Sequence, residues 1–213
     1  MNSQMTDNST DTSATGSYSV AMGNATTASG DFSTAMGRST TASGIYSTAM
    51  GYGTTASGDY ATAMGYITIA SDFGSLVIGQ FNSSGSSATS ASSFSTSAPA
   101  FVIGNGTASN ARSDAFKVMF NGDATVSNDL TVSGDVVISS DARLKSNIVS
   151  LGSTLSKLLQ IDGKSYEMKG KQKIGVLAQE IKEVFPELVS KDDNEMLAVN
   201  LSLIHISEPT RPY

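Results

Sequence analysis

Ser140 and Lys145, five positions apart in Ser140-Asp141-Ala142-Arg143-Leu144-Lys145-Ser146-Asn147-Ile148, have the residue types and spacing for covalent chemistry. A serine hydroxyl becomes a nucleophile when a nearby amine takes its proton, and partial desolvation lets a lysine do so by leaving its amine neutral part of the time. The same two residues also suit a helix cap followed by a solvated lysine, and spacing alone favours that plainer reading. Five residues of regular helix turn through about 500°, leaving the two side chains about 140° apart. A working pair therefore needs a segment that is not regular helix, or a lysine from a neighbouring copy. Asp141 and Ala142 read as the first turn of a helix, whose unpaired amides suit an oxyanion.

Other chemistries find little support. The chain has no cysteine, so neither a disulfide framework nor a thiolate site is expected, and its single histidine, His205, has no partner for a metal site or a triad. No metal and no cofactor are expected. Glu180 and Glu183 could serve as paired carboxylates, but they fit better as charges on the polar side of a helix. The net charge of −6 and pI near 4.6, with Lys and Arg unclustered, argue against a nucleic-acid partner. No apolar run is long enough to span a membrane, and the first residues carry neither a basic region nor an apolar run typical of a secretory signal.

The elements that must position Ser140 begin far upstream. With 39% hydrophobic residues, mostly alanine, 15% charged residues and 20 glycines, the chain buries little per residue unless it stacks regularly and oligomerises. The repeat points to stacking. Gly23, Gly37, Gly51, Gly65 and Gly79 recur at one interval, Ala28-Ser29-Gly30 returns as Ala42-Ser43-Gly44 and Ala56-Ser57-Gly58, and Ala70-Ser71-Asp72 continues that series without its glycine. Tyr18, Phe32, Tyr46 and Tyr60 form a third column in the same phase. A 14-residue unit with two glycine-marked corners reads as two short strands of about five residues joined by tight turns, one coil of a β-solenoid whose columns stack in register. Alternation puts Phe32, Thr34 and Met36 on one face and Ser33 and Ala35 on the other.

Residues 14–80 resemble the head repeats of trimeric autotransporter adhesins, through Ser19-Val20-Ala21-Met22-Gly23 and Ser33-Thr34-Ala35-Met36-Gly37. The resemblance implies a left-handed parallel β-roll in a trimer. Met where that family has Ile would leave the interior softer and still apolar.

Beyond the repeats, Ser83-Ser84-Gly85-Ser86-Ser87 marks a Ser-rich loop or insertion. Phe101-Val102-Ile103-Gly104 then restores the coil ending, out of the earlier phase. Short strands are expected at 115–120, 124–126, 130–132 and 136–138, separated by the turn residues Asn121-Gly122-Asp123 and Ser133-Gly134-Asp135. Leu151, Leu155, Leu158 and Leu159 have helical spacing and read as core, Tyr166 and Met168 alternate as in a strand, and a helix from Ala178 to Phe185 stops at Pro186.

Three blocks in order, Ser140 to Ile148, Ile161-Asp162-Gly163-Lys164-Ser165-Tyr166, and Ile174-Gly175-Val176-Leu177-Ala178-Gln179-Glu180 with Phe185-Pro186-Glu187-Leu188-Val189, resemble the C-terminal intramolecular chaperone of phage endosialidase tailspikes and tail fibres. That resemblance implies a homotrimer-assembly domain that cuts itself off between Ser139 and Ser140, with Ser140 as nucleophile and Lys145 as general base. Residues 201–213 are similar to the in-frame translation of a common sequencing adapter, which makes the chaperone segment truncated near Asn200.

The resulting expectation is a mainly β chain: a polar leader at 1–13, a β-roll at 14–81, a Ser-rich loop at 82–100, a β neck at 101–139, and a small truncated α+β chaperone domain at 140–200, followed by 201–213. Its function reads as a trimeric tail fibre or tailspike segment of a virion. The alternative is a bacterial cell-surface trimeric adhesin with the same assembly domain, and either would meet a host-surface receptor or glycan. A third reading, an enzyme acting on glycan, is disfavoured because the roll has no recurring acidic or histidine cluster: Asp31 and Asp59 alternate with Ile45 at one turn position.

Overall fold

The computed structural model describes residues 5–6, 11–135, 139, 141–152, 154–191 and 195–200. The chain divides into two compact units, Met1–Thr131 and Val132–Tyr213.

In the first unit each coil of 14 residues supplies one five-residue strand and one two-residue strand, not the two five-residue strands expected, because the rest of the coil goes into its turns. The long strands Val20–Asn24, Thr34–Arg38, Thr48–Tyr52, Thr62–Tyr66 and Leu76–Gln80 run parallel, with each residue beside its counterpart one coil on. The short strands Ser13–Ala14, Thr27–Ala28, Thr41–Ala42, Thr55–Ala56 and Ile69–Ala70 make a second parallel sheet. This is the repeat solenoid that the glycine and aromatic columns require. Met5–Thr6 adds one further strand beside Val20 and Ala21.

A two-residue strand facing a five-residue strand leaves an interior one small side chain deep. Alanine fills it: Ala21, Ala35, Ala49 and Ala63 from the long strands meet Ala28, Ala42, Ala56 and Ala70 from the short ones, all fully buried. The methionines are not in this interior. Met22, Met36 and Met50 are half-buried and Met64 is exposed, on the outer face of the long sheet, because the alanine between Thr and Met takes the inward position. The Ser19 and Ser33 hydroxyls close their corners by donating to the Gly16 and Gly30 carbonyls at 2.7 and 2.6 Å. By contrast, the buried hydroxyls of Thr26, Thr40, Thr54 and Thr68 have no hydrogen-bond partner.

The corners bring backbones together. Gly51 sits at φ 120°, and a Cβ there would lie 2.1 Å from the Gly65 carbonyl oxygen, so both its conformation and its clearance require glycine. Tyr18, Phe32, Tyr46 and Tyr60 occupy left-handed backbone near φ 60° without being glycine. Their rings stack coil upon coil, with centroids 5.2, 4.7 and 5.0 Å apart, which offsets part of that strain. A second column that sequence reading had not singled out runs along another edge: the Arg38 guanidinium lies over Tyr52, which stacks on Tyr66 at 5.2 Å.

At Asp72 the pattern ends for a physical reason. A Cβ on Gly58 would lie 2.3 Å from the Asp72 carbonyl oxygen, whereas Asp72 has no regular coil above it and so can carry a side chain. The Ser-rich residues cover it. The Asp72 carboxylate accepts from the Thr89 and Ser90 amides at 2.5 and 2.8 Å, and Ser71 N–H donates to the Gly85 carbonyl. The buried Asn82 amide stands in for a missing strand, accepting from Ile69 N–H and donating to Ile69 C=O, each at 2.8 Å. Asp114 accepts from the Ser83 and Ser84 amides, and Arg112 donates to the carbonyls of Ile67 and Asn82.

Beyond this loop Pro99–Asn105 rejoins the long sheet in parallel register with Leu76–Gln80, so the change of phase is absorbed by the loop. Asp114–Met119 and Ala124–Val126 extend the sheet antiparallel, around the expected Asn121-Gly122-Asp123 turn. Residues 130–132 form no strand, since the sheet ends at Ala124–Val126, and Val136–Ile138 lie outside the described residues.

The second unit contains the hairpin Lys164–Met168 with Lys171–Gly175, the helix Ala178–Val184 ended at Pro186 as its sequence requires, and the strand pair Val189–Lys191 with Leu197–Val199. Ile181 and Phe185 are buried. Of the leucines expected as core, Leu158 is half-buried while Leu151, Leu155 and Leu159 are exposed, because the helix Leu155–Leu158 is a single turn that buries none of its residues.

Two substitutions separate corner from core. Gly51→Ala is expected to destabilise the roll by roughly 3 kcal/mol, through strain and collision with the next coil. Thr40→Val and Thr54→Val, which remove unpaired buried hydroxyls at nearly constant shape, are each expected to stabilise it by about 1 kcal/mol. Denaturant unfolding of the three variants, at one protein concentration, reads both signs.

Candidate functional site

The segment after Ser139 is not a regular helix. Asp141 caps a single 3-10 turn, Ala142–Leu144, and Lys145 follows with extended backbone at φ −122° and ψ 143°. The helix expected from Asp141 and Ala142 is therefore one turn long. Its polar groups are largely committed to one another: the Asp141 carboxylate accepts the Arg143 amide at 2.8 Å, Leu144 N–H donates to Asp141 C=O, and Lys145 N–H donates to Ala142 C=O. The amides of residues 143–145 are thus occupied within the turn.

Arg143 also reaches back to Asp141, with Nη2 2.6 Å from Oδ2 and Nε 3.1 Å from both carboxylate oxygens. These side-chain bonds, and then the backbone amide, hold the Asp141 carboxyl below its ordinary range and push the Arg143 guanidinium up. Ser139 and the Lys145 side chain are exposed to solvent. The expected nucleophile, Ser140, lies outside the described residues, as does His205.

The second and third sequence blocks meet at Lys164. Its Nζ donates to Asp162 Oδ2 at 2.7 Å and lies 3.2 Å from Glu180 Oε1. The bond from Lys164 is the main cause that holds the Asp162 carboxyl below its ordinary range, and the bonds to Asp162 and then Glu180 raise the Lys164 amine. Glu180 is thereby a structural partner of Lys164 rather than a solvated helix charge, a role that its placement in a sequence block left open. Lys157 lies over the Phe185 ring at 5.3 Å, tying the short helix to the longer one. In the same unit the apolar side chains of Leu144, Ile148, Val149, Leu151, Leu155 and Leu159 are exposed.

Residues 140–190 match the family model described as chaperone of endosialidase. Residues 14–40 and 42–66 match two copies of the YadA head domain repeat. Neither curated proteins nor solved structures gave a match to the chain. The two family segments coincide with the second unit's three blocks and with the regular coils of the roll.

The Lys164 contact can be read directly by titration. The stabilisation due to the lowered Asp162 carboxyl is present above the ordinary carboxylate range and is lost as pH falls through the lowered value. The part due to Lys164 is present below the ordinary lysine range and is lost as pH rises through the raised one. Lys164→Gln is expected to move the Asp162 titration, followed by carboxyl NMR, upward in pH.

Proposed function

We propose that the chain is a segment of a trimeric fibre, in which a β-roll shaft or head is assembled by a C-terminal chaperone that then releases itself at the Ser139 to Ser140 bond. The observation that carries this reading is the pairing of a roll built of adhesin-type head repeats with a chaperone-type segment that leaves its own leucines uncovered. Apolar side chains left exposed on one chain call for a partner, and two further copies supply it symmetrically. No helix among the described residues is long and apolar enough to cross a membrane.

The release step is an acyl shift within one chain. The Ser140 hydroxyl attacks the Ser139 carbonyl carbon while Lys145 takes its proton. That proton passes to the Ser140 nitrogen as the peptide bond breaks, leaving an ester between the Ser139 acyl group and Ser140 Oγ. Water then hydrolyses the ester to a Ser139 carboxylate and a free Ser140 hydroxyl. Lys145 is solvent-exposed in the single chain, so the desolvation it needs as a base is supplied by a neighbouring copy. Cutting would thus wait for assembly. Within this reading the fibre belongs to a virion tail; a bacterial surface adhesin has the same architecture, with the roll itself as the host-binding part.

Wild-type and Ser140→Ala chains, compared by native mass and by denaturing gel with mass spectrometry, test both halves. Both should be trimeric by native mass, the Ser140→Ala variant as three full chains and the wild type as three chains that yield a fragment ending at Ser139. A monomeric wild type overturns assembly, while an uncut trimeric wild type overturns release alone.

A further inference from the structure

Residues 67–139 are covered by neither family model, and along them the outer face of the long sheet changes character. In the regular coils that face carries two rows, Thr34 with Met36, Thr48 with Met50 and Thr62 with Met64. From the next strand onward the rows become Leu76 with Ile78, Phe101 with Ile103, and Val118 with Phe116. Register sets Leu76 beside Phe101 and Phe101 beside Val118, and likewise Ile78 beside Ile103 and Ile103 beside Phe116. The six side chains are therefore contiguous, and the Phe101 and Phe116 rings meet at 6.1 Å in an edge-on arrangement. Val77 and Val102, between them in sequence, face the opposite way and are fully buried. Leu76 is exposed, and the other five are only partly covered.

No charged residue interrupts either row from Val20 and Met22 to Val118 and Phe116. At the spacing of neighbouring strands, the rows extend for about 30 Å along the stacking direction. A partner matched over that length must repeat with the same step. A second copy lying parallel does so by construction, and cyclic symmetry keeps the copies parallel. Along such a contact the grip is uneven, because burying Leu, Ile and Phe removes far more apolar surface from water than burying Thr.

We infer that the apolar shoulder formed by Leu76, Ile78, Phe101, Ile103, Phe116 and Val118 is the main contact between copies of the roll. It rests on the oligomeric reading above and assigns to this surface the task of holding the roll together independently of the C-terminal unit. Hydroxyl-radical footprinting of the full chain, read by mass spectrometry across a dilution series, tests it. In the wild-type oligomer Phe101 and Phe116 should be protected, and dilution should expose them. Phe101→Ala with Phe116→Ala should raise the concentration needed for protection of the Met36 and Met50 region by about a hundredfold, even if the C-terminal unit keeps the copies tethered. Met36→Ala with Met50→Ala should leave the shoulder protected, and Phe101→Leu with Phe116→Leu should retain most of the protection. A wild type that is monomeric at every concentration removes the oligomeric reading and this one with it. A wild-type oligomer whose Phe101 and Phe116 react as fast as in the dissociated chain overturns the shoulder alone and leaves that face to a foreign partner. Equal loss of protection in the Ala and Leu pairs also counts against it.

Discussion

Close approach of backbone to backbone at the coil corners is the constraint on which the first unit depends. A Cβ at Gly23, Gly37, Gly51 or Gly65 would lie about 2 Å from the carbonyl oxygen of the next coil's glycine, so each coil fixes the residue type of the coil before it. Once the corners meet this closely, the short strand has room for two residues and the interior for little beyond alanine, serine and threonine. The core is consequently thin, and stability is distributed along cross-coil hydrogen bonds and stacked rings rather than concentrated in one cluster. The left-handed backbone at Tyr18, Phe32, Tyr46 and Tyr60 belongs to the same balance, with local strain set against ring stacking.

The repeat was legible in the sequence because its interval is constant and its corners are glycine. Which face of the long strand points inward was not. Alternation groups Thr34 with Met36 and sets Ala35 apart, but it gives the same pattern whether the methionine or the alanine is inside. What decides is the width of the coil, and that follows from the two-residue length of the opposing strand, which the spacing had suggested to be about five. The loop from Asn82 was legible only as composition. Its fastening depends on Asp72, Asn82, Arg112 and Asp114, residues far apart in sequence whose pairing no local pattern announces.

In the second unit, sequence blocks located the segments and chemistry named the candidate residues, and the end of the helix could be read from Pro186, which cannot continue it. The leucines at 151, 155 and 159 were misjudged because helical spacing reports a shared face, not what lies over it. The turn after Asp141 escaped for a local reason: the Asp141 carboxylate binds the Arg143 amide and guanidinium, which favours a tight cap over continued helix. The chemistry proposed at Lys145 then depends on its surroundings in an assembly, something a list of residue types does not contain.

Asp72 has a consequence for how such a chain can change its length. Every coil before it presents glycine at that corner and can receive another identical coil above, whereas Asp72 and the loop fastened to it can only stand last. Whole repeats can thus be duplicated or deleted upstream without disturbing the terminus, each altering the rod by one strand spacing of about 4.8 Å. Extent becomes a heritable quantity counted in units, and a single aspartate marks where the counting stops.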